Sequence, residues 1–242
     1  MLANSTFKGH SALDRSRLKT KTSSKGSRPG SRSLPVKKLS ESLAGGNTCI
    51  LSLDAATRYK AESSDFDLKG WLAEHQPGVD ALADFIKATF ACKAVKQEIW
   101  LPEIALTPTI HLSGKADVVG YLEDGGIVVG DFKTGTWESD AHWIQCALAA
   151  QSLVKDGQGQ YIAAVIRQYR GKAPEVEDTI GNIRGSSQMD LVKKILAILE
   201  SGEAETTATL SNCKFCDFRK YCSEAVLEPK IVESSVEDFF SF

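Results

Sequence analysis

Residues 114–135 (GKADVVGYLEDGGIVVGDFKTG) decide the fold, because they predict a β-hairpin. Residues 115–122 are rich in Val, Tyr and Leu, as strands are. Residues 123–126 (EDGG) have the composition of a tight turn, and residues 127–133 (IVVGDFK) predict the returning strand. The two runs are therefore expected to pair as antiparallel strands.

Two carboxylates and an amine fall at one end of this hairpin. Asp117 begins the first strand, and Asp131 and Lys133 end the second. Because side chains alternate across a strand, Asp131 and Lys133 share a face, and the hairpin can bring Asp117 beside them. Two such carboxylates repel each other unless a cation lies between them. Oxygen ligands suit Mg²⁺ or Mn²⁺, so these residues are the parts needed for metal-assisted phosphodiester hydrolysis.

An exposed Asp–Lys pair on adjacent strands is the alternative interpretation of these residues. In this sequence, however, Asp131 directly follows the apolar run 127–129 and Gly130. An acid and a base at the end of a buried strand are costly unless they are used. We therefore favour a functional site, to which Glu98 on the preceding predicted strand can add a metal ligand.

The flanking sequence predicts helices alternating with strands. Apolar residues recur at helical spacing in 79–92 and 139–154, the latter capped by Ser139 or Asp140. The remaining predicted elements are a strand over 95–101, an irregular segment over 102–108, a strand over 160–169 and a helix over 188–200. The core order is αβββαβ, which indicates an α/β sandwich rather than a doubly wound parallel sheet.

The G-x-x-D strand, the hairpin and the GDFKTG sequence resemble the RecB-type branch of the PD-(D/E)xK nuclease superfamily over about residues 95–222. The resemblance implies a restriction-endonuclease-like core, a mixed sheet flanked by helices. It implies Asp117, Asp131 and the Phe132 carbonyl as metal ligands and Lys133 as the catalytic lysine. Glu98 resembles the acidic residue of the first core strand.

The resemblance extends to the following helix and to an upstream histidine. Gln145 is similar to the family glutamine that leans into the active site, but Ala149 stands where the family often has Tyr. Family members commonly carry an upstream His above the metal. His75 is the only His in the right region, although we favour a solvated loop histidine there.

A cysteine cluster lies near the end of the chain. Cys213, Cys216 and Cys222 form a C-x₂-C-x₅-C pattern. Clustered thiolates indicate zinc or an iron–sulfur cluster, and either needs a fourth ligand from a distant part of the chain.

This spacing resembles the C-terminal triplet of the iron–sulfur nucleases of the RecB-like group, such as the CRISPR-associated Cas-type exonucleases and the AddB subunit. The resemblance implies a cluster, 4Fe–4S in type, with Cys49 as the fourth ligand, although Ile50 replaces the usual Pro. Cys92 and Cys146 fall in predicted helices and are expected to be small buried hydrophobes. The cluster would staple the two ends of the nuclease core together.

The charge distribution is uneven. Residues 1–45 carry ten Lys and Arg against two acidic residues, whereas the rest of the chain has a net charge of −10. The composition of residues 1–45 predicts a flexible basic arm, which either contacts DNA or only solubilises the protein. We expect a nuclease domain over 46–228 and an acidic tail over 229–242. The tail is similar to peptides that bind replication sliding clamps, with Val236, Phe239 and Phe240 as anchors, or else its Phe residues pack back on the domain.

The composition excludes several classes. Of the 242 residues, 42% are hydrophobic and 25% charged, which is typical of globular proteins. There is no apolar run of about 18 residues and no secretory apolar core, so we expect an intracellular protein, either cellular or phage-encoded, with reduced thiols and no membrane partner. A Walker A motif is also absent, so the chain would not unwind duplex DNA itself.

The residues and the resemblance together predict a Mg²⁺- or Mn²⁺-dependent DNA nuclease. An exonuclease is favoured over an endonuclease, with single-stranded DNA or DNA ends as substrate, in recombination, repair or phage replication. Two alternatives remain open: a non-catalytic interaction protein with a nuclease fold, and a zinc-ribbon nucleic-acid binder built on the cysteines.

Overall fold

A computed structural model describes most of the chain. The described residues are 13–21, 31–44, 49–60, 67–136, 138–154, 158–177, 186–202, 204, 208–214 and 216–226. Within these ranges, no helix combines the length and the apolar character that crossing a membrane requires.

The described part of the chain contains six helices. They are α1 (Val36–Leu43), α2 (Ile50–Arg58), α3 (Leu68–Thr89), α4 (Asp140–Leu153), α5 (Ser186–Ser201) and α6 (Leu210–Lys214). The strands are β1 (Lys19–Thr20), β2 (Arg32–Pro35), β3 (Tyr59–Lys60), β4 (Cys92–Trp100), β5 (Ile104–Ala105), β6 (Ile110–Ser113), β7 (Lys115–Leu122), β8 (Gly126–Lys133), β9 (Tyr161–Tyr169) and β10 (Glu175–Glu177).

The central sheet has the strand order β10-β9-β8-β7-β4. Strands β8 and β9 are parallel, and the other neighbours are antiparallel, so the sheet is mixed. Helix α3 packs on the face that carries Val118 and Val128, and α4 packs on the face that carries Val119 and Val129. The predicted mixed sheet flanked by helices is confirmed, with the hairpin β5–β6 inserted between the first two core strands.

Local sequence explains how the site-bearing elements begin and end. The Ser139 side chain caps α4 by accepting a hydrogen bond from the Ala141 amide at 3.2 Å, as predicted. Gly125 in the β7–β8 turn has φ +94°, a conformation that favours glycine. The Asp124 carboxylate accepts a hydrogen bond from the Gly126 amide at 3.0 Å and closes the turn. The hairpin register is thereby fixed, and with it the positions of the acidic residues.

The expectation of a flexible arm over residues 1–45 is wrong for the described part of that segment. Strand β2 pairs in parallel with β6, and α1 packs against α4. Four apolar side chains of this segment are buried in the main core: Leu34, Val36, Leu39 and Leu43. Near the start of the chain, the Asp14 amide donates to the Tyr221 carbonyl at 2.8 Å. The apolar residues of α1 recur at helical spacing, but the Lys and Ser residues between them make this pattern hard to see in the sequence. Within this segment, residues 1–12, 22–30 and 45 lie outside the described residues.

Two local predictions also need correction. Cys92 begins strand β4 rather than ending a helix, because α3 stops at Thr89. The segment 102–108, expected to be irregular, contains the short strand β5, which pairs with β6. In both places the run of residues was too short for periodicity to separate a strand from its neighbours.

Removing residues 1–45 should prevent folding rather than merely weaken DNA binding. The deletion removes the four apolar side chains of this segment that are buried in the main core, each worth about 1.5–3 kcal/mol when fully buried. Their sum is comparable to the whole stability of a typical domain, about 5–15 kcal/mol. Thermal melting should show no cooperative transition for this truncation. Removal of residues 1–12 alone is the control and should leave the transition in place; an unchanged melting temperature after the longer deletion would contradict the account.

Candidate active site

Three acidic residues lie in one row across the end of the sheet. Val118 on β7 pairs with Gln97 on β4 at one side and with Gly130 on β8 at the other side. Because both pairings are antiparallel, Glu98 and Asp131 are placed on either side of Asp117. The predicted convergence of Asp117 and Asp131 at the hairpin end therefore follows from the observed register.

His75 completes a group of ligand atoms with two of these carboxylates. Its Nε2 atom lies 3.6 Å from Glu98 Oε1 and 3.8 Å from Asp117 Oδ1. One ligand atom from each of the three residues lies within 4.8 Å of the other two. Imidazole and carboxylate groups bind divalent ions, so this donor set fits a divalent metal.

The favoured interpretation of His75 as a solvated loop residue is wrong. His75 lies inside α3, is only 5% exposed, and stacks on Trp71 with ring centroids 4.3 Å apart. The sequence did not show this because α3 begins at Leu68, well before the periodic run at 79–92. Its Nδ1 atom is buried without a hydrogen-bond partner among the described residues.

Asp131, Lys133 and Gln145 form a second cluster beside the first. Lys133 Nζ lies 2.6 Å from Asp131 Oδ2, which confirms that the two side chains share a face. The Gln145 amide donates to Asp131 Oδ1 at 2.9 Å, and Lys133 Nζ donates to Gln145 Oε1 at 3.3 Å. Gln145 thus holds both partners of the ion pair. Ala149, one turn further along α4, is buried in the core.

The electrostatics of the site favour a bound cation. Burial and the neighbouring Asp131 carboxylate raise the pKa of Asp117 to about 7. Two groups oppose this rise: the Phe132 amide, which donates a hydrogen bond to Asp117 at 2.8 Å, and the Lys133 ammonium. A carboxyl group whose ionisation is disfavoured in this way is stabilised in its charged form by a nearby positive ion.

The two basic groups are shifted in opposite directions. Burial lowers the pKa of Lys133, but the charge and hydrogen bond of Asp131, with a further contribution from Asp117, together raise it by more, so Lys133 stays protonated at neutral pH. Burial lowers the pKa of His75 despite the nearby Glu98 carboxylate, so the imidazole is neutral and keeps a lone pair for a metal. The site therefore offers one cationic amine and one neutral imidazole.

The Glu98 backbone is strained. Its φ is +54°, the left-handed region, and it is the only described residue other than glycine with a positive φ. Such a conformation costs about 1–3 kcal/mol and is often found at functional sites. The Glu98 side chain is also paired with Lys115, its neighbour on β7. Glu98 is thus held in place by both its backbone and its partner.

Close packing of α3 on β8 determines how near His75 lies to the carboxylates. A Cβ atom built on Gly78 would lie 2.1–2.4 Å from ring carbons of Phe132, which is buried. The Phe132 ring centroid also lies 5.8 Å from that of His75. Only glycine at position 78 lets α3 approach closely enough to bring His75 to the carboxylates.

Gly78→Ala should therefore destabilise the protein. An exposed helix normally gains about 1 kcal/mol from this change, whereas overpacking costs about 1–3 kcal/mol. Denaturant unfolding should show the loss. The control Gly135→Ala adds a methyl group with no atom within 4 Å of it, so its effect should stay within about 0.5 kcal/mol. A gain in stability for Gly78→Ala would be inconsistent with the packing described.

Sequence reasoning missed a polar network beside Lys133. Tyr169 pairs with Lys133 across β8 and β9 and is fully buried. Its hydroxyl accepts from the Ser139 amide at 3.3 Å and shares a hydrogen bond of 2.8 Å with His142 Nδ1. Burial lowers the pKa of His142 to about 4, so that ring is neutral. The only signal for Tyr169 was its place at the end of the predicted strand 160–169.

The four cysteines predicted to share a ligand site are brought together. Cys49, Cys213, Cys216 and Cys222 line one pocket. Burial raises the pKa of Cys222, the Glu224 amide opposes the rise, and the other three thiols add to it. The Val226 amide donates to Cys213 Sγ at 3.3 Å. Cys92 and Cys146 lie elsewhere, and Cys146 is buried in the main core as expected.

An α/β fold with an acidic row and a lysine at the sheet end is typical of one class of phosphodiester-cleaving enzymes. A family model described as the PD-(D/E)XK nuclease superfamily matches residues 37–223. The chain belongs to this superfamily, whose members use divalent metal ions, generally Mg²⁺ or Mn²⁺.

Two solved structures are similar to the chain. The protein SSO0001 is 14% identical with a TM-score of 0.49, and the alignment covers 83% of this chain and 89% of that one. A protein from Eubacterium rectale described as a candidate exonuclease is 14% identical with a TM-score of 0.44, and the alignment covers 87% of this chain and 96% of that one. Comparison with curated proteins gives no match.

Proposed function

We propose that the protein is a metal-dependent deoxyribonuclease of the exonuclease type. The observation that carries this proposal is the convergence of His75, Glu98 and Asp117, with ligand atoms within 4.8 Å of one another. The Asp131–Lys133 ion pair lies beside them. A purely structural role would not need a neutral imidazole, a strained glutamate and a half-buried ammonium at one end of a sheet.

The divalent ion would be held by His75, Glu98 and Asp117, and we propose Asp131 and the Phe132 carbonyl as further ligands. Such an ion would neutralise phosphate charge and lower the pKa of an attacking water. Carboxylates suit Mg²⁺ and Mn²⁺ alike, but the imidazole favours Mn²⁺, because Mg²⁺ prefers oxygen ligands. Activity should accordingly be higher with Mn²⁺.

Lys133 would act as a cation rather than as a general base. The raised pKa keeps its proton on Nζ, and Asp131 and Gln145 fix its position. From there the ammonium can stabilise the negative charge that develops on the phosphate oxygens as water attacks phosphorus and a P–O ester bond breaks. One product then carries a terminal phosphate and the other a hydroxyl.

The test of the proposal is cleavage of end-labelled DNA. Single- and double-stranded substrates are incubated with Mn²⁺, Mg²⁺ or EDTA, and the products are resolved by length. Loss of terminal nucleotides with a metal and none with EDTA is expected. Cleavage at internal positions would support an endonuclease instead. No cleavage of either substrate with either ion would favour the non-catalytic alternative.

We also propose that Cys49, Cys213, Cys216 and Cys222 hold an iron–sulfur cluster, as in the iron–sulfur branch of RecB-like nucleases. The four thiols line one pocket. Tetrahedral zinc, with Zn–S of about 2.3 Å, would hold sulfur atoms about 3.8 Å apart. Among the described residues, however, no three cysteine sulfurs come within 4.8 Å of one another. That wider spacing favours a cluster over zinc.

The biological setting is proposed from the resemblance. A nuclease of this kind would act in recombination, repair or phage replication. The acidic tail is proposed to bind a sliding clamp through Val236, Phe239 and Phe240, which lie outside the described residues. Loss of clamp co-purification on removal of residues 236–242, with cleavage of short oligonucleotides retained, would support that contact; clamp binding by the truncated chain would rule it out.

A further inference from the structure

Trp100 presents a large aromatic ring to solvent beside the proposed metal site. It is 75% exposed, the highest value among the large hydrophobic side chains that the structure describes. It ends β4, which lies at one edge of the central sheet, and it lies two residues beyond Glu98. A single exposed ring is common on protein surfaces, so what matters here is which charged groups lie beside it.

Lys115 connects this ring to the site. It is the cross-strand partner of Trp100, and its Nζ atom lies 5.6 Å from the centroid of the Trp100 ring. The same ammonium is paired with Glu98, which faces His75. The Lys115 ammonium therefore lies between the Trp100 ring and the Glu98 carboxylate, which is a proposed metal ligand.

We infer that Trp100 is a stacking platform for an unpaired base of the substrate strand, with Lys115 contacting the adjoining phosphate. The inference rests on the proposed function and deepens it, because it names single-stranded DNA as the substrate class. Aromatic rings beside cations are the usual elements of single-strand recognition, and stacking tolerates any base. In a duplex both faces of each internal base are already covered, so an unpaired base can stack on the ring where an internal paired base cannot.

The position of Trp100 argues against a protein as the molecule that covers its ring. A protein docked on this ring would lie against Lys115 and Glu98 and would block access to the carboxylates. A nucleotide chain whose phosphate reaches those carboxylates must instead pass this edge of the sheet. The ring therefore contacts a base next to the phosphate that is cleaved.

Binding of a fluorescent single-stranded oligonucleotide tests the inference. Anisotropy is measured in EDTA, so that metal-dependent cleavage does not occur. Trp100→Ala should weaken binding by about 5- to 150-fold, the range found for loss of one base–aromatic contact, and Trp100→Phe should recover most of it. The control Tyr161→Ala removes an exposed ring at the opposite end of the sheet and should not change the affinity.

Oligonucleotides with a single abasic site distinguish stacking from a general effect. Moving the abasic site along the strand should reveal one position where the wild type loses affinity and Trp100→Ala does not. Equal affinities of Trp100→Ala and wild type, or equal sensitivity to that site, would overturn the inference even if the enzyme cleaves DNA. Base-dependent binding through Trp100 in a protein that cleaves nothing would support the platform while the nuclease proposal fails.

Discussion

Replacing Lys133 with alanine should lower the rate of DNA cleavage by about 10²- to 10⁴-fold, the usual contribution of one positioned catalytic side chain. The half-buried ammonium is paired with Asp131 and donates to Gln145, and a water molecule that replaced it would not carry its positive charge. The carboxylates and His75 remain in this variant. Binding of Mn²⁺ should therefore persist or become tighter, because a competing positive charge has been removed.

Single-turnover cleavage and Mn²⁺ titration measure the two effects separately. Lys87→Ala is a matched control, since Lys87 is an exposed lysine near the end of α3, far along the helix from His75. Gln145→Ala should give a smaller loss than Lys133→Ala, because Gln145 only positions the ion pair. A cleavage rate for Lys133→Ala within a few-fold of the wild type would contradict the role given to the lysine.

With the proposed iron–sulfur cluster at the four cysteines, Cys213→Ser should remove iron from the anaerobically purified protein and unfold the segment around it. Structural metal sites contribute on the order of 10 kcal/mol to the folding of small domains. This site joins α2, through Cys49, to the segment that pairs with Leu13. Loss of absorbance near 400 nm, loss of bound iron and faster proteolysis of the termini are the expected results, and Cys49→Ser should give the same pattern.

The matched control is Cys92→Ala, because Cys92 is a half-buried thiol that lies in a different cluster of side chains. It should keep both colour and iron. A colourless wild type that contains zinc would establish the zinc alternative. Cys213→Ser with the metal content of the wild type would show that these thiols do not bind the metal.

The central hairpin and most of the site could be predicted from the residues alone. Residues 115–122 and 127–133 match β7 and β8 closely, because alternating apolar residues and an EDGG turn specify a hairpin locally. The position of Asp117 next to Asp131 and Lys133 follows from that register. These features depend on contacts between residues close in sequence, which pattern reasoning captures.

Features that depend on distant contacts were not predicted. His75 reaches the carboxylates only because Gly78 lets α3 approach Phe132. The left-handed backbone of Glu98 has no signature in the sequence. The segment 31–44 has too few apolar residues to reveal a buried strand and helix until β6 and α4 are placed beside it. In each case tertiary packing, rather than local propensity, decides the outcome.

The most direct test of the metal centre is Mn²⁺ binding by isothermal titration, with wild type compared with Asp117→Asn and His75→Ala. Loss of a residue that only supports a ligand costs about 10- to 100-fold in metal affinity, so loss of a ligand should cost at least about 100-fold. Glu74→Gln, an exposed carboxylate paired with Arg170, is the control and should bind as the wild type does. Tight binding is expected for the wild type and the control, with a large loss in both site variants; equal binding by all four proteins, or none by the wild type, would contradict a metal centre at these residues.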